Sequence, residues 1–185
     1  MVSAKFTSEM RQMLKNMVGK IFVSYEYLKE NNLPNQTYGN LRIHMEDCAI
    51  DLTNEEKTFP FFDGREDMSC FSCKRVDKNV PFQPFVVTDA RTVAYEVGEQ
   101  IARVEIMNDT ININQGEYVI SFDTALIIQT TSHIYMFARG LWFSEIISIR
   151  SDDDYEKVLS MEKLIDSWSN EGEDSVKIKR TITSL

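Results

Sequence analysis

The apolar positions of this chain follow two periodicities, and the change between them comes early. Met10, Met13, Leu14 and Met17 recur at i, i+3, i+4 and i+7, which lays one stripe along a helix over residues 7–18. Thr7 or Ser8 supplies the side-chain acceptor that starts such a helix, and Gly19 the left-handed residue that ends it. From Lys20 the period falls to two, with Ile21, Val23, Tyr25 and Tyr27 on one face of a strand. The polar run 31–36, broken by Pro34, reads as a loop. Leu41–Met45 alternates again. The apolar phase then slips by one residue to Cys48, Ile50 and Leu52, which predicts a β-bulge near Asp47.

Further on, Phe59-Pro60-Phe61-Phe62 runs into the turn signal Asp63-Gly64, and Met68–Val76 reads as extended. Pro81 and Pro84 mark a loop that Phe82 and Phe85 pin to the core. From Ile101 to Ile149, turn signals at Asn108-Asp109 and Asn114-Gln115-Gly116 and short apolar runs predict a β-meander. A second helix is expected between Asp153 and Trp168, striped by Tyr155, Val158, Leu159, Leu164, Ile165 and Trp168. Asp152, Asp153 and Asp154 stand at its start, where the helix dipole favours negative charge. Val176, Ile178 and Ile182 alternate in a final strand. The expected fold class is α+β: a twisted, mostly antiparallel meander sheet, closing at most into a half-barrel, with an amphipathic helix near each end packed on it. Nothing marks a repeat or a boundary, so residues 1–185 read as a single domain.

Composition narrows the class. Hydrophobic content of 43% and aromatic content of 11% are those of a chain that folds on its own core. No run approaches the roughly 18 apolar residues of a membrane helix. Three cysteines without a leader-like start predict reduced thiols and a cytoplasmic protein. The net charge is −9, yet residues 1–20 hold Lys5, Arg11, Lys15 and Lys20 against Glu9 alone, a local +3. A surface this acidic repels phosphate backbones, which argues against nucleic acid and leaves a basic protein or a small ligand as partner.

One spacing carries a specific chemistry. His44-Met45-Glu46 is followed, after 23 intervening residues, by Cys70-Phe71-Ser72-Cys73. This resembles the zinc-dependent nucleoside deaminases, in which H-x-E and a later P-C-x-x-C place a His and two Cys on zinc and use the Glu to move protons. The resemblance implies His44, Cys70 and Cys73 as metal ligands and Glu46 as proton carrier. Ser69 stands where that motif has proline. Two cysteines three apart in a strand also face opposite ways, and so do not chelate one ion. A redox role for Cys70 and Cys73 needs a helix N-terminus that the pattern does not provide.

The other candidate is a binding cluster, Phe137, Arg139, Trp142 and Phe143, with Glu145 beside it. Aromatic area beside a planar guanidinium is common in recognition surfaces. With neither histidine beside an identifiable nucleophile and no phosphate loop, the sequence favours a non-catalytic interaction or small-ligand-binding protein. An adaptor, an inhibitor or an immunity-type protein is the kind of molecule meant, with no cofactor; a zinc enzyme is the alternative.

Overall fold

Alternation of period two governs most of the chain, and eleven strands result among the described residues. In a computed structural model, residues 1–29, 35–85, 90–140, 144–152, 160–169 and 175–185 are described, 167–169 by backbone alone. The strands are β1 (Val2–Ala4), β2 (Ile21–Lys29), β3 (Gln36–Tyr38), β4 (Asn40–Met45), β5 (Ala49–Phe61) and β6 (Gly64–Val76). They continue as β7 (Arg91–Ile113), β8 (Tyr118–Thr130), β9 (Ile134–Arg139), β10 (Ile146–Ser151) and β11 (Val176–Ser184). Two helices are described, α1 (Ser8–Lys15) and α2 (Met161–Ser169). Neither is long and apolar enough to cross a membrane.

The strands run in the order β3-β10-β9-β8-β7-β2-β4-β5-β6, and the sheet stays open. β1 adds to β8 in parallel, β11 adds to β7, and every pairing other than β1–β8 is antiparallel. The predicted meander is present as β7 to β10. β7 is the element both halves share: its first part pairs with β2, and its second part lies between β8 and β11. Gly98, at φ 71, sits in a bulge where Phe22 opposes Glu99 and Ser24 opposes Glu96, leaving one extra residue on β7. Bulges increase the local bend and twist of a strand.

Two sequence expectations change here. The phase slip at Asp47 is a hairpin turn, not a bulge: His44 pairs with Ala49, and Met45 N–H donates to the Cys48 carbonyl at 2.8 Å. Asn108-Asp109 ends no strand, because both side chains find partners within the sheet. Asn108 Nδ2 donates to Asp123 at 3.1 Å, and the Arg180 guanidinium grips both oxygens of the fully buried Asp109 at 2.8 Å. The turn signal at Asp63-Gly64 falls at the tip of the β5–β6 hairpin, which is paired out to Phe61 and Gly64. Pro60 is tolerated close to the hairpin tip, opposite Arg65.

Apolar burial falls into two main clusters. The first collects Leu14 and Met17 below α1 with Phe22, Ile43, Ile50, Leu52, Phe71, Cys73, Val104, Leu126 and Phe137. The second holds Met68, Cys70, Ile111, Ile120, Phe122 and Leu164 of α2. Thr7 Oγ1 caps α1 by accepting from Met10 N–H at 3.2 Å, as its sequence predicts. Asp123, fully buried, ties the helix region down: its carboxylate accepts from Phe6 N–H at 2.8 Å and from Arg11 at 2.9 Å. α2 starts after Ser160, whose hydroxyl accepts from Lys163 N–H at 3.4 Å. Asp152 instead follows β10 and accepts from Ile134 N–H at 2.8 Å. The upstream part of the predicted second helix, with Tyr155, Val158 and Leu159, lies outside the described residues.

Candidate functional site

Four residues were singled out by spacing, and the sheet separates them. His44 lies on the face of β4 opposite Ile43 and Met45, where its Nε2 is 3.0 Å from Glu26 of β2. Its ladder partner Ala49 pairs with Val76, three residues beyond Cys73 along β6. Cys73 packs in the first core cluster and Cys70 in the second, as strand alternation requires. Glu46 sits exposed in the β4–β5 turn, its carbonyl accepting from Lys78 at 3.2 Å. Among the described residues, no three of His, Cys, Asp and Glu come together as a metal site, so this donor set does not fit a zinc ion. Burial pushes the Cys73 thiol up to about 12 and raises Cys70 and Cys48 as well, which keeps all three protonated near neutrality.

Of the aromatic–arginine cluster, Phe137 and Arg139 are described, and both are buried. Phe137 is wholly enclosed in the first core cluster, and Arg139 is 1% exposed. The Arg139 guanidinium lies over the Phe122 ring at 4.2 Å and donates to the Ser69 carbonyl. Burial lowers its pKa to about 10, with Cys70 and Asp109 opposing that shift. Glu145, part-buried, accepts from the Tyr38 hydroxyl and from Glu56 N–H at 3.2 Å. Trp142 and Phe143 lie outside the described residues.

A site of another kind opens beside α1. A groove of about 590 Å³ runs between the helix and the β4–β5 turn. Met17, Met45, Cys48 and Ile50 form its floor, and the half-buried Met13 stands on its wall. Its lining also carries the polar residues Ser8, Glu9, Gln12, Asn16, Lys20 and Arg75. Glu9 lies in the first turn of α1, whereas Lys20 lies just past the helix and Arg75 belongs to β6. Both cations reach one carboxylate, Asp47, at 2.7 and 3.4 Å. The Lys20 ammonium also lies 4.0 Å from Cys48 Sγ, against the apolar floor. Lys20 and its hydrogen bond hold Asp47 below the usual carboxylate range.

The methionine stripe announces one wall of this groove. The other wall, Met45, Cys48, Ile50 and Arg75, is brought in from 25 or more residues away, and no local pattern marks it. The early excess of cations is the one sequence signal that points to Lys20. No family model, no curated protein and no solved structure matches this chain.

Proposed function

We propose that this chain is a non-catalytic binding protein that holds a small, largely apolar ligand in the groove beside α1. The observation that carries this reading is the groove itself: about 590 Å³, floored by buried Met17, Met45 and Ile50 and walled by partly buried Met13. Ligand sites are concavities of this size with apolar linings and a few placed polar groups. Methionine suits such a wall, because its unbranched thioether adapts to differently shaped ligands. The separation of His44, Glu46, Cys70 and Cys73 leaves no comparable support for the zinc alternative.

Methionine-methyl NMR tests the reading. Titrated with a set of small apolar molecules, the protein is expected to show saturable shifts at Met13, Met17 and Met45. Met68 of the second cluster, and Met107 and Met136, which pack apart from both with Ala125, Ile127 and Ala138, are expected to stay in place. Shifts confined to those other clusters, or none with any compound, would overturn it.

A further inference from the structure

Resting on the groove reading, we infer that the ligand is an amphipathic anion, a medium-chain monocarboxylate whose tail lies on the methionine floor and whose head meets Lys20 and Arg75. The charge layout argues for it. The two cations come from different elements and converge on the single carboxylate of Asp47. Glu9 sits in the first turn of α1, a helix roughly 12 Å long at 1.5 Å per residue, and Lys20 follows five residues after its last turn. Of the charged groups in the lining, the anion Glu9 belongs to the start of α1, and the cations Lys20 and Arg75 meet at Asp47.

Lys20 stands at that junction. Its side chain is 25% exposed, and its ammonium touches both Asp47 and the sulfur of Cys48 on the floor. A carboxylate at the end of a chain lying over Met45 and Ile50 meets the ammonium there without leaving the apolar surface. Asp47 is itself half exposed, and exposed ion pairs are weak. Exchanging Asp47 for a ligand carboxylate therefore costs little, while the ligand gains two charge-assisted contacts. The segment that supplies Lys20, residues 1–20, carries a local +3 in a chain of net charge −9.

Isothermal titration with decanoate, decanol and decyltrimethylammonium, followed by methionine-methyl NMR, tests this. Decanoate is expected to bind about tenfold or more tighter than decanol, the scale of a charge-assisted hydrogen bond. The Lys20→Gln/Arg75→Gln double variant is expected to erase that advantage without changing decanol binding. Asp47→Asn, which frees both cations, is expected to tighten decanoate about threefold, an effect that a structural role for Asp47 does not produce. Equal binding of decanoate and decanol at Met13, Met17 and Met45, or tighter binding of the ammonium compound there, would overturn the anion inference and leave the groove reading standing. No methyl shift with any of the three would overturn both.

Discussion

Two regions of this protein exchange the roles their sequences suggest. Phe137 and Arg139 have the residue types of a recognition surface, yet the sheet encloses them, and the guanidinium serves the Phe122 ring and the Ser69 carbonyl. The stripe Met10, Met13, Leu14 and Met17 has the spacing of a core-facing helix, yet only Leu14 and Met17 are fully buried, while Met13 borders an open groove. Residue type and periodicity say which face of an element is apolar. How much of that face another element covers depends on strands far away in sequence, and it decides between core and site.

The comparison breaks most readily at Arg139. Removing one member of a buried polar arrangement leaves its partners desolvated and a cavity behind. Arg139→Ala is expected to destabilise the fold by about 3–5 kcal/mol, the range for breaking buried charged contacts. Urea unfolding followed by far-UV circular dichroism measures this. A loss under about 1 kcal/mol, typical of a surface position, would mean that the β9 end opens to solvent and can act as a binding surface after all.

Asp123 sharpens the contrast, because it is a buried charge that holds the groove-forming helix in place. Burial raises its carboxyl above the ordinary 3.8, and that effect outweighs the lowering by Phe6 N–H, Arg11 and Asn108. A raised carboxyl binds its proton more tightly in the folded state, so its contribution is complete below 3.8 and is lost as pH rises through the folded value. Asp123→Asn removes that dependence along with one of the two acceptor oxygens that serve Phe6 N–H, Arg11 and Asn108, a loss of about 1–2 kcal/mol. The stability gap between native protein and variant is expected to widen as pH falls from about 7 towards about 4. A gap that narrows instead would show that the three donors dominate over burial.

Strand periodicity was the most legible feature. Ile21–Tyr27, Leu41–Met45, the meander and Val176–Ile182 all appear as strands in the expected order. What misled was local turn chemistry whose partners are remote. Asn108 and Asp109 look like a turn until Asp123 and Arg180 are brought beside them. The slip at Asp47 is a turn that resembles a bulge, while the bulge at Gly98 sits in a stretch read as neither strand nor turn. Thr58–Asp67 carries a proline, a glycine and charges because it is the exposed end of a long hairpin. Of the groove, only the α1 wall was legible, since Met45, Cys48, Ile50 and Arg75 join it through the pairing of β4, β5 and β6.

The smallest effect on stability is expected at Met13, and its smallness is the point. If Met13 borders open space, Met13→Gln removes little buried area and costs under about 1 kcal/mol, far less than the loss expected at Arg139. The neutral amide keeps the helix, since glutamine is nearly as good a helix former as methionine, and it introduces no charge to steer an anion. It does place a polar group on the wall, so binding of an apolar tail is expected to weaken several-fold while the unfolding midpoint barely moves. Urea unfolding and decanoate titration of the same preparation separate the two readouts. A large stability loss with unchanged binding would put Met13 in the core with Leu14 and Met17 and remove the contrast between the two regions.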